Sequence, residues 1–165
     1  MPALTTRPAT AADAETILSF IKGLAAFEHE PDAVKTTTAD LLRDGFSAQP
    51  KFETLIAERD GKPVGFALFF PTYSTWEGRS GLHLEDIFVL EEERGKGVGQ
   101  QLMTALAALA VERGYARLEL AVLHWNPART FYHQLGMTHL EEWLPYRISG
   151  EALRNLAERA KNERS

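Results

Sequence analysis

Residues 81–99 constrain the fold more than any other stretch. An apolar run from Gly81 to Leu90 (Leu82, Leu84, Ile87, Val89) leads into Arg94-Gly95-Lys96-Gly97-Val98-Gly99, and a stripe of Val98, Leu102, Leu106 and Leu109 follows. The first pattern is that of a strand and the second that of a helix, so the glycines stand at a strand-to-helix turn. Glycines there let the backbone curl inward with no Cβ in the way, and a helix N-terminus carries about half a positive charge. Backbone N–H groups presented in this way suit an anion, and Arg94 and Lys96 add charge beside them. A bare helix entry turn is the plain alternative. Two nucleotide-binding arrangements fail on spacing: a dinucleotide fingerprint needs glycine where Gln100 or Leu102 stands, and a phosphate loop needs a following Gly-Lys-Ser/Thr.

The flanking elements read as β-α-α-β-β-β-α-β-α-β-α, one mixed α/β domain over 1–165. Leu4 to Arg7 is a short strand, and Ile17, Leu18, Ile21, Leu24 and Ala25 mark a helix after Thr10. Thr36-Thr37-Thr38 offers N-caps to a second helix carrying Leu41, Leu42 and Phe46. Phe52 to Arg59 and Val64 to Phe70 flank Asp60-Gly61, a hairpin signal. The long helix after the glycine turn ends near Gly114, and Leu118 to Leu123 is again a strand. Pro127 opens a helix that runs to Leu135 with Gly136 as its stop, a last strand falls at Tyr146–Ile148, and a helix starts at Gly150.

Composition narrows the functional classes. With no cysteine, a disulfide framework, a Cys-based zinc site and a cysteine nucleophile are excluded. The histidines at 29, 83, 124, 133 and 139 form no tight metal-ligand spacing, so no metal is expected. A net charge of −5 with no basic patch argues against nucleic acid. The one basic run, Arg159, Lys161 and Arg164, is interleaved with Glu158 and Glu163 and reads as a solvated helix end. No run of about 18 apolar residues suggests a membrane span, and Met1 to Pro8 lacks the apolar centre of a signal peptide. A cytoplasmic protein is expected.

Arg94-x-x-Gly97-x-Gly99 resembles the segment with which GNAT acetyltransferases hold the pyrophosphate of acetyl-CoA. The resemblance extends over residues 4 to 157. It is carried by Arg7-Pro8-Ala9-Thr10-Ala11-Ala12-Asp13, Asp44-Gly45-Phe46, Tyr73-Ser74-Thr75-Trp76, Leu84-Glu85-Asp86-Ile87-Phe88-Val89, Ala121-Val122-Leu123-His124-Trp125-Asn126 and Phe131-Tyr132. These are similar to the diamine acetyltransferase branch, and within it to the thialysine N-ε-acetyltransferases. The resemblance implies a GNAT-like fold, a central mixed sheet with helices on both faces. It also implies acetyl-CoA as cofactor, held by Arg94, Gly95, Lys96, Gly97, Val98, Gly99 and Gln100. The cofactor's arm would lie along Ile87, Phe88 and Val89, with Asn126, Pro127, Ala128 and Arg129 on its other side. Asn126 reads equally as a helix N-cap. A homodimer is implied as well, although the apolar stripe Leu140, Trp143, Leu144, Ile148, Leu153, Leu156 is as well explained by burial within one chain.

Acyl transfer to an amine sets three chemical demands. A lysine-like ammonium is deprotonated in roughly one molecule per thousand at neutral pH, so a carboxylate must help remove its proton. Glu85 and Asp86 are candidates, and strict alternation would put them on opposite faces of their strand. The resemblance makes Glu85 the base, acting through water; a strand carboxylate paired with arginine is the plain alternative. The leaving thiolate needs a proton, and the resemblance assigns this to Tyr132, otherwise a packing residue. The thioester oxygen needs donors, which backbone N–H groups around Phe88 and Val89 would supply. Phe27, Glu28, Glu85, Asp86, Glu119, Leu120 and Ala121 would contact the acceptor, and Glu28 would bind a second ammonium. Trp76 and Trp125 read as core or interface aromatics, with a loop position near the acceptor entrance as the alternative for Trp76. Phe27 lacks a hydroxyl, and Ser74-Thr75 stands where spermidine-type members carry an acid, so a short lysine-like amine fits better than a long polyamine. A peptide-amine acetyltransferase and a non-catalytic acyl-CoA-binding module are the competing readings.

Overall fold

Asp60 and Gly61 both take positive φ, 54° and 74°, the backbone that a tight hairpin with right-handed strand twist requires. They join β2 (Glu53–Arg59) to β3 (Lys62–Ser74). β3 turns back through residues 75–78 into β4 (Arg79–Val89), β1 (Leu4–Pro8) flanks β2, and β5 (Leu118–Leu120) lies parallel to β4. The sheet order is β1-β2-β3-β4-β5, antiparallel except for the last pair. The computed structural model describes residues 2–163. Met1, Arg164 and Ser165 lie outside them, and with them the last arginine of the charged C-terminal run.

Alternation along β3 sorts the core into two layers. Phe66 and Leu68 pack with Ile56 of β2 and with Ile17, Phe20 and Leu41, which belong to α1 (Ala14–Phe27) and α2 (Thr38–Gly45). Gly65 points the other way: a Cβ there would meet Val98 Cγ1 at 3.2 Å, placing α3 (Val98–Glu112) on the opposite face. Full burial of residues such as Ile17, Phe66 and Leu102 contributes about 2–3 kcal/mol each to holding helices on both faces. Thr37 caps α2 by accepting from the Asp40 N–H at 3.1 Å. Arg7 fixes the start of α1: its guanidinium holds Asp13 at 2.8 Å and Glu58 at 2.9 Å.

The chain divides into two compact units, residues 1–123 and 124–165. The second contains α4 (Ala128–Gln134) and α5 (Gly150–Glu163). Two expected strands change. β5 ends at Leu120 rather than Leu123, because its last partner, Leu84, immediately precedes an irregularity in β4. Tyr146–Ile148 is not a strand. Tyr146 is 92% exposed, and among the described residues no strand pairs with this stretch to satisfy its backbone. Among the described residues no helix is long and apolar enough to cross a membrane, and no cluster of side chains is suited to a metal ion.

Candidate functional site

The site begins at a β-bulge. Leu68 pairs with Asp86 and Phe69 with Leu84, which leaves Glu85 as one extra residue in β4. A bulge re-aims a side chain, and that effect appears here. The β4–β5 ladder covers only Leu82–Leu84, so β4 runs from Glu85 to Val89 without β5 beside it. The Leu90 N–H donates to the Val64 carbonyl at 2.9 Å. By alternation the backbone of Phe88 therefore faces β3, and the N–H and C=O groups of Ile87 and Val89 face away from it, toward the unpaired side. The outward donors at this strand end are thus those of Ile87 and Val89 rather than Phe88.

The bulge also corrects the expectation that Glu85 and Asp86 occupy opposite faces. His83 pairs with Phe70 and Asp86 with Leu68, both on the face that α1 covers, and Glu85 Oε2 lies 3.3 Å from His83 Nε2. Strict alternation fails because the extra residue interrupts it, so both carboxylates serve one side of the sheet. Asp86 is partly buried and its carboxyl is pushed up to about 6, first by burial and then by the charges of Glu85 and Glu28. Glu28, just after α1, is itself raised by burial. Asp86 and Glu28 thus stand where ionisation is costly, and a bound cation would lower that cost.

The glycine turn lies next to this region. Gly95 and Gly97 take φ of 77° and 86°, and a Cβ on either would meet nothing within 4 Å. Left-handed backbone and open space leave the N–H groups before α3 accessible to a bulky anion, so the residues present fit a pyrophosphate. Lys96 and Gln100 are exposed beside it, Val98 is buried under it, and Gly99 continues into α3. The turn is tied at its start: Glu93 Oε2 accepts from Arg59 Nε at 3.0 Å, with both side chains largely buried. Arg94 donates from Nε to the Val89 carbonyl at 3.1 Å, and its guanidinium carbon stands 4.9 Å from the Phe27 ring centroid and 5.6 Å from that of Phe88. Arg94 and Phe27, assigned by resemblance to cofactor and acceptor, therefore touch each other. Leu120 closes the β5 ladder, with Ala121 after it, and Glu119 is paired with Arg117 at 3.4 Å.

In the second unit, Asn126 Oδ1 accepts from the Ala128 N–H at 2.9 Å, while the N-cap position of α4 itself is Pro127, so Asn126 stands one residue before the cap it was expected to form. Arg129 donates to the His124 carbonyl at 2.8 Å. Tyr132 is buried, its ring centroid 5.5 Å from that of Phe131. Trp76, 82% exposed in the β3–β4 turn, and Trp125, 40% exposed, are not core residues. Sequence reasoning missed His83 and the Arg59–Glu93 tie. His83 stands two residues before Glu85, a strand spacing that signals a shared face. Arg59 and Glu93 are 34 residues apart with no local signal.

The model of the acetyltransferase (GNAT) family matches residues 18–137. The chain is 40% identical over 163 residues to thialysine N-epsilon-acetyltransferase of Bos taurus, covering 92% of this chain and 95% of that one. To the enzyme of that name in Sus scrofa it is 39% identical over 169 residues, with 95% and 99% covered. Among solved structures, an integron cassette protein from the mobile metagenome of V. cholerae superposes with a TM-score of 0.78 at 24% identity, covering 94% of this chain and 98% of that one.

Proposed function

Because the chain belongs to the acetyltransferase (GNAT) family, whose members use acetyl-CoA, we propose that it transfers the acetyl group of acetyl-CoA to a primary amine of a short lysine-like or diamine acceptor. It is an N-acetyltransferase with a mixed five-stranded sheet; the acceptor class and the residue roles are our reading. The observation that carries the reading is the carboxylate group at the β4 bulge. Glu85 and Asp86 share one side of the sheet, with Glu28 close enough to raise Asp86, beside a strand end whose donors have no ladder partner. An ammonium would be drawn to Asp86 and Glu28. The names of the relatives, which act on thialysine, support the same acceptor class.

In this reading the N–H groups of Gly95, Gly97 and Gly99 and the start of α3 hold the pyrophosphate, and Arg94, Lys96 and Gln100 flank it. Ile87 and Val89 pair with the cofactor's arm and support the thioester oxygen as charge develops. Glu85 accepts the amine's proton through water, and Tyr132 returns a proton to the departing sulfur. The amine attacks directly in a ternary complex, since the chain has no cysteine to carry the acetyl group. Both compact units belong to one transferase domain, a reading supported by a family match that spans residue 123. We also read the protein as a cytoplasmic homodimer. Supporting the dimer, Leu140, Trp143, Leu144 and Ile148 are 47–73% exposed.

Thiol release from acetyl-CoA, measured against thialysine, lysine, ornithine, spermidine and a set of N-terminal peptides, tests the acceptor. The short dibasic amines are expected to show the highest kcat/KM. A peptide outcompeting all of them would replace this reading with a protein-directed one.

A further inference from the structure

We propose that His83 is a positioning residue that carries the acceptor's proton away from Glu85, an inference that rests on the transferase reading above. The reaction converts an ammonium and a thioester into an amide, a thiol and one free proton. The ammonium nitrogen loses two protons on the way; one returns to the sulfur and the other must leave the site. Glu85 takes that proton as a carboxylate and must ionise again before the next turnover.

Glu85 Oε2 lies 3.3 Å from His83 Nε2, within reach of a proton transfer after a slight closure. The bulge makes this meeting possible, since it keeps Glu85 on the face His83 already occupies. The imidazole is backed by Phe70, ring centroids 5.0 Å apart and tilted by 36°, which steadies its plane while Nε2 meets the carboxylate. The side chain is 27% exposed, so it reaches water as well as Glu85. Imidazole changes charge near neutral pH, so it can take a proton from a carboxyl and release it within one cycle. In the transfer the Glu85 O–H bond breaks, an N–H bond forms at Nε2, and the imidazolium then gives its proton to bulk water.

The surroundings favour this direction. From its own strand His83 meets Glu85, with Asp86 next along; from β3 it meets the uncharged Phe70. From β5 its register partner is Glu119, which is paired with Arg117 at 3.4 Å, and Arg117 also lies 3.9 Å from Glu77. A passing imidazolium is thus flanked by two carboxylates, one of them already partnered. A static surface pair is the simpler account of the same contact, and kinetics separate the two.

Wild type, His83→Gln, Glu85→Gln and the double variant are compared for thiol release from acetyl-CoA with thialysine across neutral pH, at low and high imidazole buffer. His83→Gln is expected to lower kcat about tenfold in dilute buffer, with most of the loss restored by concentrated imidazole. In the Glu85→Gln background the same substitution is expected to change kcat less than about twofold, since the two residues act in series. If His83→Gln folds poorly, His83→Phe keeps a ring against Phe70 and is expected to show the same buffer-restored loss. A wild-type pH profile in these variants, or a loss untouched by buffer, would overturn the relay while leaving the transferase intact. A wild type that releases no thiol with any amine would overturn both.

Discussion

Asp86 and Asp13 are the same residue type driven in opposite directions. The Arg7 guanidinium donates to both oxygens of Asp13 and holds its carboxyl down at about 2. Asp86 has burial and two like charges instead, and rises to about 6. The consequences for folding have opposite signs. Asp13 contributes stability above the usual carboxylate range, and that contribution is lost as pH falls toward 2. The folded chain holds a proton on Asp86 that the unfolded chain has released, so its effect on stability is unfavourable as pH rises from about 4 to 6 and constant above. Asp86→Asn is therefore expected to stabilise the protein by about 3 kcal/mol at pH 7.5 and to leave it unchanged near pH 4. Urea unfolding at both pH values measures this, and equal shifts at the two would show that the carboxyl is not raised. On the proposed acceptor reading, the same variant should lose kcat/KM mainly for acceptors with a second ammonium. A residue that costs stability at working pH and earns its place through substrate binding is a common pattern at functional sites.

At the scale of elements, the strand–turn–helix around Gly97 needs a left-handed residue, and the space beside it is empty. Gly97→Ala is expected to cost about 1–2 kcal/mol from backbone strain alone and to weaken CoA binding about tenfold as the turn relaxes and its N–H groups re-aim. Gly61→Ala, equally left-handed and equally open but in the β2–β3 hairpin, should cost similar stability and leave CoA affinity unchanged. Calorimetric titration with CoA and thermal melts of both variants separate strain from binding. These turns were legible in the sequence because their chemistry is local: Asp60-Gly61 and the spaced glycines each require an unusual backbone. The bulge was not legible, since it is a relation between β4 and its neighbour β3, and alternation read along β4 alone misassigned the faces of Glu85 and Asp86. His83 went unnoticed for the same reason. Tyr146–Ile148 has strand-like residues, but a strand exists only with a partner, and none pairs with it among the described residues. The types of the candidate acid and base were therefore readable, while which carboxylates share a face was not.

For the whole molecule, the apolar side chains of residues 140–156 set the expectation of self-association. Sedimentation of the full chain should give a dimer, and Leu144→Asp with Ile148→Asp should shift it to monomer with the far-UV spectrum retained. A wild type that sediments as a monomer at micromolar concentration would remove the dimer from the reading. The end of β4 beyond β5 carries a further consequence, for solubility. A strand that outruns its neighbour presents a row of unpaired donors and acceptors, a template on which any extended chain can add and begin to aggregate. Here that edge starts at Glu85 and Asp86, its Val89 carbonyl is already taken by Arg94, and the adjacent negative charges repel an incoming strand. Neutralising both carboxylates is therefore expected to raise the protein's tendency to aggregate, which light scattering at high concentration would measure.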